Sequence, residues 1–131
     1  MPSEERKVGL MEEGKFYPCP EKHVCVSSQS PKDDEDHYME PMTYEGSLED
    51  AKKNILNVIN SMSRTKVLEE NDNYIHVLFT TFLLRFKDDV EFYFDDTEKL
   101  IHFRSQSRIG GFDWNKNKKR MKKIKEKYNS M

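Results

Sequence analysis

Arg104-Ser105-Gln106-Ser107-Arg108 leads through Gly110 and Gly111 to Asp113, Asn115, Lys116 and Asn117, the stretch richest in polar donors. Alternate residues of a strand share a face, so Arg104, Gln106 and Arg108 form a row of donors, with His102 just ahead. Guanidinium forks hold a carboxylate or phosphate through paired N–H bonds. Asp113, Asn115 and Asn117 stand where a last helix is expected to start, and free N–H groups there also receive an anion. The same residues have a purely structural use. Both arginines can pair with Asp88, Asp89 or Glu91 on a neighbouring strand, while Asp113 or Asn115 caps the helix.

A second constellation is Cys19, His23 and Cys25, with His37 further on. The spacing C-x3-H-x-C is not a common zinc pattern, so no metal is assigned. Cys19 and Cys25 form a short-loop disulfide only in an oxidising compartment, and otherwise stay as thiols. A cysteine nucleophile with His76 or His102 as base is weaker still, because a lone strand histidine is usually structural. The pairs Asp88-Asp89 and Asp95-Asp96 fall at expected turns, which favour Asp in any case. No Walker loop, GxGxxG, HExxH or GxSxG pattern occurs, and no cofactor is expected.

The elements that must position these residues follow from periodicity. Ser47-Leu48-Glu49-Asp50 reads as a capped helix start, and Leu48, Ala51, Ile55, Val58, Ile59 and Met62 form an apolar stripe over about 48–62. Four strands are predicted next. They are Lys66–Glu70, the long apolar Tyr74–Phe86, Val90–Asp95 and Leu100–Arg108, with turns at Asn71-Asp72-Asn73, Lys87-Asp88 and Asp95–Glu98. A basic helix with the thin stripe Met121, Ile124 and Tyr128 closes the chain. The expected class is α+β: an antiparallel four-stranded meander with one helix before and one after, and an irregular N-terminal segment packed on the body.

The chain of 131 residues is read as one domain. Residues 47–112 hold 23 of the 29 Leu, Ile, Val and Phe, so the body can bury a core. The expectation is disorder within 1–18, an irregular motif segment over 19–46 and an α+β body over 47–131. The mean hydropathy of −0.93 and the absence of a long apolar run leave no membrane-spanning segment. Met1–Lys7 precedes no apolar run either, so no secretory leader is expected, and the protein is read as soluble and cytoplasmic.

Net charge is −2, but from Lys99 onward 11 basic residues face two acids, a net of +9, which leaves −11 for residues 1–98. The basic last helix attracts phosphates nonspecifically or meets an acidic protein partner. Specific nucleic-acid recognition is not expected, because stacking aromatics are missing apart from Tyr93. Such a helix can touch an anionic membrane, but its apolar face is too thin for insertion.

Taken together, Cys19-Pro20, then Cys25-Val26-Ser27-Ser28-Gln29, then Asp88-Asp89-Val90-Glu91-Phe92, then Arg104-Ser105, Ser107-Arg108 and Gly110, then Asp113, Asn117 and Arg120 resemble the family called domain of unknown function 1499. The resemblance runs from about Cys19 to Met121. The chain departs from the family pattern in carrying His23-Val24 where Pro-Asn usually precedes the second cysteine, and Asn115 where Gly is usual. Asn tolerates the left-handed backbone such a Gly suggests. The resemblance implies no established activity. It does imply that residues 19–29 pack on the body, and that Ser27, Ser28 and Gln29 lie near Arg104 and Arg108. The reading is therefore a non-enzymatic domain that takes a small anionic ligand at an Arg/Ser cluster of Ser27, Ser28, Gln29, Arg104, Ser105, Ser107, Arg108, Asp113 and Asn117. The alternatives are an enzyme using the same cluster, and a protein-interaction module acting through the basic helix.

Overall fold

Ser47 ends the N-terminal coil as a helix cap, its Oγ accepting the Asp50 N–H at 3.0 Å, and α1 runs from Leu48 to Asn60. Ala51, Ile55, Val58 and Ile59 are its buried stripe. At the other end α2 (Lys116–Asn129) starts from Asn115 in the left-handed region (φ 60°) and buries Asn117, Met121 and Ile124. The computed structural model describes residues 8–12, 14–108 and 115–131. Gly110, Gly111 and Asp113, named above, lie outside the described residues.

Between the helices lie β5 (Thr65–Glu70), β6 (Tyr74–Thr80), β7 (Lys87–Asp95) and β8 (Leu100–Ser107), paired antiparallel in sequence order. This is the expected meander, and it is incomplete. Two strands from the N-terminal segment, β3 (Cys25–Ser27) and β4 (Met42–Thr43), pair end to end along the outer edge of β8. The main sheet therefore has six strands among the described residues, not four. Short edge strands have too few residues to display a period, so composition could not reveal them.

Two boundaries also differ from the expectation. β6 stops at Thr80, and Lys87-Asp88, expected as a turn, opens β7 opposite Phe79 and Thr80. Thr81 closes the reversal: its N–H donates to the Phe86 carbonyl and its Oγ1 accepts the Phe86 N–H, both at 2.8 Å. The apolar run past Thr80 imitates a buried strand, but Phe82, Leu83 and Leu84 project from the hairpin tip into solvent.

One face of the sheet carries Ile75, Val77, Phe79, Val90, Phe92, Phe94, Ile101 and Phe103, and these form one apolar cluster with the buried stripes of α1 and α2. The opposite face lies under the N-terminal strap. There β1 (Leu10–Glu12) pairs with β2 (Lys15–Phe16), and Phe16 is 3% exposed. Gly14 is left-handed (φ 77°), and a Cβ there would overlap the Tyr93 ring, so the strap lies directly on the sheet.

Candidate functional site

Strand alternation divides the Arg-Ser-x-Ser-Arg motif between the two faces of β8. Arg104 stands opposite Glu91 and Ser27, under the strap, while Ser105 stands opposite Val90 on the helix face. The described members of the nine-residue cluster expected from sequence are therefore divided between the two faces of the sheet.

Under the strap the arginines pair internally. Glu91 is 1% exposed; its Oε2 accepts the Tyr74 hydroxyl and the Gly9 N–H, each at 2.5 Å. Arg104, equally buried, approaches Glu91 at 3.4 Å and donates through Nη2 to the Pro18 carbonyl at 3.2 Å. Burial raises the Glu91 carboxyl and lowers the Arg104 guanidinium; their mutual attraction opposes both shifts without reversing them. Next along the sheet, Asp89 accepts two bonds from Arg108 at 3.0 Å and one from His76 at 2.8 Å. Burial acts against the Asp89 carboxylate, yet the bonds from His76 and Arg108 outweigh it and hold the group down at about 2.

On the helix face the polar groups are matched in the same way. Asn117, fully buried, accepts from Ser105 Oγ at 2.6 Å and donates to the Val24 carbonyl at 3.0 Å and Ser107 Oγ at 3.1 Å. Arg120 donates to Asn117 Oδ1 at 2.9 Å and to Asp88 at 2.5 Å, and Lys116 reaches Asp88 at 3.1 Å. Part of the basic helix is tied to the N-terminal loop, with Lys118 on the Glu35 carbonyl and Lys125 on the Glu40 carbonyl.

An open cleft remains at the other end of the strap. It has a volume of about 420 Å³, and its lining includes Lys15, Ser28, Gln29, Lys32, Tyr93 and His102. Four local contacts build it. Ser28 Oγ accepts the Phe103 N–H at 2.9 Å and lies 2.9 Å from His102 Nδ1. Gln29 Oε1 accepts the Phe16 N–H and its amide donates to the Gly14 carbonyl, both at 2.8 Å, so this side chain clips the strap. Burial lowers the His102 imidazole against the pull of Asp95, favouring the neutral ring.

A disulfide joins Cys19 to Cys25 and pins the strap to β3. Both sulfurs are thereby removed from any zinc or nucleophile role. His37 is instead held between Asp34 and the Lys22 carbonyl, each at 2.8 Å.

A family model described as protein of unknown function (DUF1499) matches residues 15–127. The chain belongs to the DUF1499 family. No curated protein matches it. In this DUF1499 chain the matched span takes in the disulfide and all of both networks and the cleft except Gly9 and Gly14.

Of the residues singled out in the sequence, Ser28 and Gln29 line the cleft. Ser27 lies beside Arg104 in the β3–β8 pair, and Arg108 belongs to the other end of the motif. Asp113 falls outside the described residues. The sequence reading missed Lys15, Lys32, Tyr38 and Tyr93 as cleft residues, and Tyr74 as a partner of Glu91. Only the packing of the strap reveals them, since Lys15 and Tyr93 are 78 positions apart.

Proposed function

We propose that this DUF1499 chain is a single-domain, non-enzymatic module that binds a small anionic ligand in the cleft between the strap and the Ser28-Gln29 turn. The observation that carries the reading is the cleft itself: about 420 Å³, with Lys15, Lys32, Ser28 and His102 converging on it and Asp95 its one acidic lining residue among those described. That volume suits a small metabolite. Arg104 and Arg108 then act as positioning residues, since each is committed to a buried carboxylate. The Cys19–Cys25 bond supports an oxidising compartment over the cytoplasm that the sequence suggested.

Titration with citrate and with inorganic phosphate, followed residue by residue by NMR, tests this reading. The expected result is a shift at Ser28, Gln29 and His102, with affinity reduced roughly tenfold or more by Lys32→Glu or His102→Ala. No shift with either anion, together with no retained small molecule in native mass spectrometry, overturns it.

A second reading, hydrolysis, draws on the Ser28–His102 contact of 2.9 Å and the favoured neutral imidazole. A fluorophosphonate that labels Ser28 in the wild type and not in His102→Ala would establish it over the binding reading. An unlabelled Ser28 dismisses it.

A further inference from the structure

The β6–β7 hairpin ends in an apolar tip that the core does not use. Phe82, Leu83 and Leu84 are 68%, 80% and 69% exposed, and Phe86 is 43% exposed. Four large apolar side chains together on one protruding turn are a continuous patch, not the scattered exposure normal for a surface. Their presentation is fixed. The Thr81–Phe86 bonds close the loop, and Arg85 takes the left-handed conformation (φ 59°) that turns the chain back.

The described residues that line the clefts beside the tip carry only positive charge. A cleft of about 370 Å³ on one side contains Arg64, Arg120, Lys123 and Lys127. A second, of about 500 Å³, contains Arg64, Lys66, Arg85 and Lys87. Among the described residues no acidic side chain lines either cleft, in a chain whose net charge is −2. Two cations also flank the aromatic rings: Arg64 lies 5.3 Å from the Phe82 centroid and Lys116 lies 5.4 Å from that of Phe86.

We propose that this hairpin docks the protein on an anionic lipid surface, the tip entering the acyl boundary while the surrounding cations meet lipid phosphates. A convex apolar point ringed by like charge complements a fluid, negatively charged interface, where apolar burial and electrostatic attraction add. The thin apolar stripe of α2 is no obstacle, because the hairpin supplies the apolar contact and α2 contributes Lys123 and Lys127.

Cosedimentation of the full chain with vesicles tests the proposal. The probes are phosphatidylcholine alone and phosphatidylcholine with about 30% phosphatidylserine. The expected result is binding to the anionic vesicles only, weakened by added salt. Leu83→Asp with Leu84→Asp should lower it at least about tenfold. Lys123→Glu with Lys127→Glu should lower it by a similar factor. All four positions are away from the core, and an unchanged thermal melt verifies the fold of each variant. No wild-type binding, binding unchanged by the tip substitutions, or equal binding to both vesicles overturns the proposal. So does a concentration-dependent dimer that the tip substitutions abolish in the absence of vesicle binding, which would make the tip a contact between copies.

Discussion

Glu91 and Arg104 face each other on adjacent strands, 3.4 Å apart, each 1% exposed, beneath a strap that is itself bonded to both. The Gly9 N–H bonds Glu91 and the Pro18 carbonyl accepts from Arg104, so the strap and the ion pair depend on each other, although Arg104 Nε finds no hydrogen-bond partner among the described residues.

Arg104→Ala leaves the Glu91 carboxylate buried without its cation. The expected cost is roughly 3–5 kcal/mol. Urea unfolding measures it. A double variant, Arg104→Met with Glu91→Leu, should recover much of that loss, because it removes both buried charges together. Equal destabilisation by the single and double variants would show that the strap rests on something other than the pair.

Asp89 predicts an acid-side pH dependence. Its carboxyl titrates at about 2 in the folded chain against an ordinary 3.8. A depressed folded value means that the unfolded chain binds the proton more readily. The stabilisation is therefore complete above about pH 4 and is lost as pH falls toward 2. It amounts to about 2 kcal/mol. Glu91 acts with the opposite sign. Its raised value favours the folded state below its ordinary 4.5, an advantage that fades as pH rises through the folded value. Comparing Asp89→Asn with wild type across pH 2–6 should show a stability gap that closes toward pH 2.

Asn117→Ala deletes the group that joins α2 to β8 and to the Val24 carbonyl. Ser105, Ser107 and Arg120 each lose a bond at a buried site, so the expected cost is roughly 2–4 kcal/mol. Hydrogen exchange should rise first at the N-terminal end of α2. Uniform loss of protection over the whole sheet would contradict this local role.

Gly14→Val sets a β-branched side chain at φ 77°, against the Tyr93 ring. The strap should lift from the sheet. The expected readouts are a stability loss of roughly 1–3 kcal/mol and faster exchange at the Phe16 amide, which is otherwise held by Gln29. Unchanged exchange at Phe16 would mean that the ring moves aside and the strap stays.

The readable parts of this chain were those whose signal is local. The α1 stripe, the Ser47 cap and the alternation along β7 and β8 each depend on residues within a few positions of one another. The pairing of the arginines with Asp89 and Glu91 was open to expectation for a similar reason: short turns make β7 and β8 neighbours. The resemblance to the family added the proximity of Ser27 to Arg104.

The sequence by itself determined the helices, the meander and the chemistry available on each strand, because periodicity and turn residues act over short range. Tertiary structure decided three other features. It put β3 and β4 on the edge of β8, laid the strap over the charged face, and left Phe82, Leu83 and Leu84 outside the core. These follow from which surfaces meet across tens of residues, and an apolar or charged side chain reads the same in sequence whether a partner covers it or solvent does.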